Sequence, residues 1–252
     1  MPSKIILPSS ASAACASPSD SYAPLADYGI IGDLRTVALV GLSGSIDFMC
    51  FPDYDSPSVF AALLDRKRGG CFVLAPMLEG AKHTQLYLPD TNVLLTRFLS
   101  SEGGAEVSDF MPLAEGGVAQ AVIRRAKAVR GEIRFRMICD PRFDYGRAEH
   151  AVQEGAGGVV FASRGPDKLS LRLCSRAPLR VAEGAAVSEF VLRAGESISF
   201  VLEETDPGLQ TTCPAARSTA ERFKETVNYW RRWVGESTYQ GRWREMVSRS
   251  AL

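Results

Sequence analysis

Residues 27–60, DYGIIGDLRTVALVGLSGSIDFMCFPDYDSPSVF, decide the fold. They carry five aspartates and one arginine around two apolar runs. The first run, 36–42, is almost wholly apolar, and the second, 45–51, follows Ser43-Gly44. Gly44 reaches positive φ at little cost, so the runs read as two strands joined by a tight hairpin. A continuous apolar run implies a strand covered on both faces, hence a β-structure of two or more layers. Ser56-Pro57-Ser58 then reads as the start of a short helix through Val59, Phe60, Leu63 and Leu64. Proline suits a first helical turn because its missing N–H has no partner there anyway.

Outward from this stretch, from about residue 35 to 206, the apolar period is two. Ile133, Phe135 and Met137 alternate with Arg134 and Arg136. Leu169, Leu171 and Leu173 alternate with Lys168, Ser170 and Arg172, and Ile198, Phe200 and Leu202 with Ser199 and Glu203. Alternation places every second side chain on one face, so these are strands with one buried face. Gly or Pro punctuates them at 103–104, 116–117, 131, 155–158, 165–166, 184 and 195. The reading is a mainly β fold: an antiparallel, multi-stranded β-sandwich with short helices and helical residues at its C-terminal end.

After Pro207 the period changes. Ala220, Phe223, Val227, Trp230 and Val234 form one apolar stripe on a helix that opens near Pro214. Gly235 is expected as a left-handed cap. A second helix is expected from about Arg242, with Trp243, Met246 and Val247 on one face. All three tryptophans, Trp230, Trp233 and Trp243, lie in this segment. Two placements are open: they pack back on the sandwich, or they serve as interdomain packing for a further domain.

The chain has 252 residues, 46% hydrophobic and 23% charged, with 29 basic and 29 acidic side chains. A neutral chain without a long basic run argues against nucleic acid or an anionic membrane as partner. No run approaches the roughly 20 apolar residues of a membrane span. Residues 1–21, rich in Ser, Ala and Pro, read as a disordered tail; Pro8 cuts Ile5-Ile6-Leu7 short of a signal-peptide core. The six cysteines, Cys15, Cys50, Cys71, Cys139, Cys174 and Cys213, show no C-x-x-C, so zinc spacing is absent. They are expected to be reduced and mostly buried, in a cytoplasmic protein.

Candidate chemistry centres on Asp53-Tyr54-Asp55-Ser56. The D-x-D pair admits a metal, a helix cap by Asp55 or Ser56, or a ligand-facing role. A calcium loop counted from Asp53 fails, with Ser58 and Leu64 where Gly and Glu are needed. Gly41 to Ser45 fits neither a phosphate loop nor a nucleophile elbow. His83 and His150 are the only histidines, neither beside a nucleophile or metal-ligand pattern. Asp47, Asp53, Asp55, Asp109, Asp140 and Asp144 are available carboxylates, and glycoside hydrolysis needs two facing each other across the bond. Spacing alone does not pair them. The alternative for each is solvation, capping or an ion pair with a strand arginine such as Arg35 or Arg97.

Three blocks carry a family resemblance: 26–60, with Ala26-Asp27-Tyr28-Gly29, Gly44-Ser45-Ile46-Asp47 and Asp55-Ser56-Pro57-Ser58-Val59-Phe60; 141–147, PRFDYGR; and 229–252, from YWRRW to SRSAL. Together they resemble the N-terminal trehalase-like domain of glycoside hydrolase family 15, the glucoamylase and trehalase-like enzymes. The resemblance implies a β-sandwich at 22–210, a linker helix at 211–238 and, at 239–252, the first helix of a truncated (α/α)6 catalytic barrel. It implies inverting hydrolysis of α-glucosides such as trehalose or maltooligosaccharides by the whole enzyme, with no cofactor and no metal. The barrel and both its catalytic glutamates are missing here, so no catalytic residue is assigned and the chain alone is expected to be inactive. Its implied partner is its own barrel. Asp53, Tyr54, Asp55, Ser56 and Phe60 are candidates for a substrate rim or interdomain contact. A stand-alone carbohydrate-binding or protein-interaction module is the alternative.

Overall fold

The computed structural model describes residues 22–113, 120–155, 158–206 and 216–252. The expectations for the tail at 1–21 and for Pro207 and Pro214 lie outside these residues. A 3-10 turn (Leu25–Asp27) leads into β1 (Tyr28–Gly32), β2 (Val37–Gly41), β3 (Ser45–Cys50), β4 (Ser58–Phe60) and β5 (Cys71–Pro76). Then come β6 (Lys82–Tyr87), β7 (Leu94–Leu99), β8 (Gly104–Phe110), β9 (Ala121–Arg130) and β10 (Glu132–Asp140). The one-turn α1 (Phe143–Gly146) precedes β11 (His150–Gly155), β12 (Gly158–Ser163), β13 (Ser170–Ser175), β14 (Arg180–Ala182), β15 (Ala185–Arg193) and β16 (Ser197–Glu204). Two helices follow, α2 (Ala216–Gly235) and α3 (Arg244–Ser250).

The strands form two 8-stranded antiparallel sheets. The first runs β1-β2-β3-β5-β10-β15-β14, with β4 paired to β3. The second runs β11-β12-β13-β16-β9-β8-β7-β6. Their inner faces meet in one core, where Ile133, Phe135 and Met137 from one sheet face Leu171, Leu173, Phe200 and Leu202 from the other. The rings of Phe135 and Phe190 stack at 5.5 Å, and Phe190 meets Phe200 at 5.5 Å. The β9–β10 connection is Gly131 alone, at φ +82°, which takes the chain from one sheet to the other.

The second sheet is covered on its outer face as well. Phe110, Ile123, Cys174 and Val201 point outward from β8, β9, β13 and β16 and are buried beneath Val227 and Phe223 of α2. Phe110 and Phe223 meet edge to face at 5.4 Å. Polar groups complete the dock: Thr226 Oγ1 accepts the Leu113 N–H at 3.1 Å, and Glu203 pairs with Arg172 at 2.6 Å and Arg222 at 3.6 Å. The molecule is therefore layered as sheet, sheet and helix. This explains why Arg172 and Glu203, which the alternation places on a solvent face, are buried.

Several expectations are revised. The β2–β3 hairpin forms as read, with Gly44 at φ +82° and its N–H donating to Gly41 O at 2.9 Å. Yet β2 is fully buried on one face only, through Ala38 and Val40, while Val37 and Leu39 stay half-buried. The short helix from Ser56 does not form. Val59 and Phe60 gain more by burial beside β3, in register Met49↔Phe60, and Pro57 ends the preceding loop instead. Asp55 and Ser56 therefore cap no helix. Gly235 is the last residue of α2 and has no positive φ. Cys50, Cys139 and Cys174 are buried thiols outside any disulfide, but Cys71 is disulfide-bonded, against the expectation of reduced thiols. Pairing between distant cysteines leaves no local signature in a sequence.

The free edge of β1 is closed by a side chain. Tyr87 Oη accepts the Ile30 N–H at 2.8 Å and donates to Ile30 O at 2.9 Å. An exposed strand edge is an aggregation hazard, and this bond blunts it.

Candidate functional site

The loops after β1 and β3 and the turn α1 come together at one end of the first sheet. Asp33 Oδ1 accepts the N–H groups of Arg35 at 3.0 Å and Thr36 at 2.8 Å, which fixes the β1–β2 loop. Gln120 bridges the two loops, donating to Asp33 Oδ2 at 3.1 Å and Pro52 O at 2.9 Å. Arg35 reaches across to Asp53 at 2.8 Å. Within the second loop Ser56 Oγ accepts the Asp53 N–H at 3.2 Å, and the Ser56 N–H donates to Asp53 O at 3.1 Å. Tyr54 and Asp55 stand at its exposed tip, and Asp55 makes no hydrogen bond among the described residues.

Next to this loop, Arg142 N–H donates to Val59 O at 2.8 Å and brings α1 against β4. Asp144 and Tyr145 both hold left-handed backbone, at φ +50° and +56°. Non-glycine residues pay for that conformation, so two in succession need outside support. Fully buried Phe143 supplies one anchor and the Arg147–Asp144 pair at 2.6 Å a second. The Tyr145 ring stays exposed, with the Arg147 guanidinium 5.5 Å from its centre. The loop after β3 thus presents a ridge of Asp53, Tyr54 and Asp55, and Tyr145 is exposed on the turn packed beside β4. Carboxylates accept hydrogen bonds from hydroxyl groups, and exposed rings cover apolar faces, so its chemistry suits a saccharide or a polar protein surface.

Phe60, grouped with this loop from the sequence, is fully buried and packs on Phe72 at 6.2 Å; it belongs to the core. Neither Gln120 nor Tyr145 stood out from the sequence as a site residue. PRFDYGR was visible as a block, but left-handed backbone at Asp144 has no local signature.

The remaining carboxylates are engaged structurally. Asp47 accepts from Tyr28 Oη at 2.7 Å and Ser45 Oγ at 2.5 Å. Burial, reinforced by Asp47, pushes the Tyr28 hydroxyl well above its ordinary range. Asp109 pairs with Arg124 in the core at 2.8 Å. Asp140 pairs with Arg142 at 3.0 Å; burial raises its carboxyl, and Arg142 opposes the shift. Burial likewise raises the Cys50 and Cys139 thiols, which makes poor nucleophiles of them. His83 packs edge-on against Phe98 at 4.8 Å, and His150 bonds Gly184 O at 3.2 Å. Among the described residues no three His, Cys, Asp or Glu are grouped to hold a metal.

The terminal helices divide the tryptophans. Trp230 is buried within this chain at 1% exposure. Trp233 and Trp243 are exposed, together with Met246 and Tyr239. Arg249 seats α3 on the β6–β7 connection: it donates to Thr91 O and Asn92 Oδ1, each at 3.0 Å, and lies 3.7 Å above the Tyr87 ring. Trp233 Nε1 donates to Ala251 O at 3.0 Å. The pair α2–α3 thus has one face on the sandwich and an aromatic face outward.

This two-sheet sandwich with a docked helix is shared with a solved bacterial glucoamylase bound to acarbose. The match has a TM-score of 0.52 at 9% identity and covers 82% of this chain and 37% of that one. At that identity it speaks for the fold alone. Residues 19–174 match the family model described as trehalase-like, N-terminal. The chain belongs to this family of trehalase-like N-terminal domains. Among similar proteins are a trehalase of Thermoplasma volcanium, 30% identical over 237 residues, and one of Mycolicibacterium smegmatis, 28% identical over 256 residues. Trehalase 1 of Sulfolobus acidocaldarius is 41% identical over 133 residues, or 53% of this chain. The first two matches each cover 92% of this chain but only 37% of the relative.

Proposed function

We propose that this chain is the non-catalytic N-terminal β-sandwich of an inverting α-glucoside hydrolase of glycoside hydrolase family 15. In this reading the (α/α)6 barrel and its catalytic glutamates are carried by sequence outside residues 1–252. The observation that carries it is the span of the match: nearly all of this chain aligns with 37% of each of two trehalases. The sandwich supports the barrel, α2 is the linker, and the outward aromatics Trp233 and Trp243 are its interdomain contact. The ridge of Asp53, Tyr54 and Asp55 borders the substrate site or the domain junction. Trehalose and related α-glucosides are the proposed substrates of the whole enzyme.

Replacing Asp53 and Asp55 by Ala in the barrel-bearing protein tests the ridge. The expected result is a raised KM or lowered kcat on at least one α-glucoside; unchanged constants on all of them would remove the role. A second reading, a stand-alone sugar-binding module, has in its favour the exposed Tyr54 beside the unbonded Asp55. Calorimetric titration of this chain with trehalose and maltooligosaccharides separates the two, because millimolar or tighter binding supports only the second. No helix among the described residues is long and apolar enough to cross a membrane. The cytoplasmic expectation rests on reduced cysteines and on the lack of a signal-peptide core or apolar span, and the disulfide at Cys71 counts against the first of these.

A further inference from the structure

We infer that a basic cleft, formed by segments other than the ridge loops after β1 and β3, binds a small tetrahedral oxyanion of the phosphate type. The cleft lies between the 65–68 turn and the 142–150 segment, has a volume of about 440 Å³, and is lined by Lys67, Arg68, Arg142, Arg147, Glu149 and His150. That volume falls in the range of small-molecule sites, about 300–1,000 Å³.

Four permanent cations meet here in a chain whose net charge is zero. Two are answered from within: Arg142 by Asp140 at 3.0 Å and Arg147 by Asp144 at 2.6 Å. Glu149, the lining carboxylate, is 86% exposed and faces Arg164 at 3.8 Å. Asp65 spends one oxygen on the backbone N–H groups of Lys67 at 2.9 Å and Arg68 at 3.1 Å, which sets the turn. Lys67 and Arg68 make no ion pair among the described residues.

The approach of the two basic segments is built into the backbone. Gly146, at φ +74°, lies so close to Arg68 that an added Cβ would stand 2.6 Å from its carbonyl oxygen. Gly70, at φ +69°, would place a Cβ 2.6 Å from Arg142 Cγ. Only glycine meets both demands, so the fold holds like charges together at an electrostatic cost that a bound anion removes. Guanidinium and ammonium donors arrive from two segments, and His150 is tied at the wall through Gly184 O at 3.2 Å. A tetrahedral oxyanion offers acceptors in all these directions, whereas a planar carboxylate does not.

The test is calorimetric titration of the 252-residue chain at low ionic strength with inorganic phosphate and with glucose 6-phosphate, glucose being the neutral control. Saturable binding with Kd of about 1 mM or tighter is expected, weakened about tenfold or more in the Lys67→Ala/Arg68→Ala variant. Both replaced side chains are exposed, and circular dichroism checks that the variant is folded. Equal binding of the two ligands identifies the free ion as occupant; tighter binding of glucose 6-phosphate identifies a sugar-borne phosphate. Absence of saturable heat with both, or equal affinity in the variant, overturns the site. The inference is independent of the hydrolase reading, because the assay needs no turnover.

Discussion

Arg124 and Asp109 are both fully buried, and they join the two sheets across the core. Arg124 on β9 faces Asp109 on β8, then donates to Gly44 O at 2.8 Å and to Phe72 O in the opposite sheet. Its guanidinium also lies 4.9 Å from the Phe72 ring centre. A buried pair is costly to break because the survivor is left charged in a dry site. Asp109→Ala is expected to lose about 3–5 kcal/mol of unfolding free energy in urea denaturation. The apolar double variant Asp109→Leu/Arg124→Met should recover much of that loss. If both variants lose the same amount, the pair has no coupling and its role as an inter-sheet tie is wrong. Neither residue announces this role in the sequence. A serine and an arginine flank the register pair Asp109↔Arg124 at Ser108↔Arg125, and nothing local marks which cation turns inward.

At the scale of elements, legibility followed how local the signal was. The period of two at 133–137 and 169–173 marks strands β10 and β13, because each residue's face is fixed by its neighbours. Stripe and length of α2 were equally plain. Ser56-Pro57-Ser58 misled, because proline opens helices and ends loops alike, and only pairing with β3 decides between them. The landing site of α2 was not legible: its apolar stripe shows that one face is covered without naming the cover, which the structure finds in Phe110, Ile123, Cys174 and Val201. That dock divides the tryptophans energetically. Trp230→Ala is expected to cost about 3–5 kcal/mol, as large-to-small changes at buried sites do. Trp243→Ala, at an exposed position, is expected to stay within about 0.5 kcal/mol. Thermal or urea melts of both variants check this, and a cost for Trp243 as large as that for Trp230 would contradict the outward placement.

At the scale of the whole molecule, two sheets, a docked helix and a trailing aromatic surface suit the proposed support role. Of the six aspartates singled out from the sequence, Asp47, Asp53, Asp109, Asp140 and Asp144 are tied to tyrosine, serine or arginine partners, and Asp55 at the ridge tip has no hydrogen bond among the described residues. Within the family's blocks, turn positions such as Gly44, at φ +82°, and Asp33, which fixes the β1–β2 loop, carry strict geometric demands. The ridge was legible in Asp53, Tyr54 and Asp55; the exposed Tyr145 on the neighbouring turn was not, because its placement depends on the tertiary anchor Phe143. The most direct test of the account is glucose release from trehalose and maltose by the purified 252-residue chain. No release above the buffer blank is the predicted result; release that rises in proportion to protein concentration would contradict a non-catalytic support.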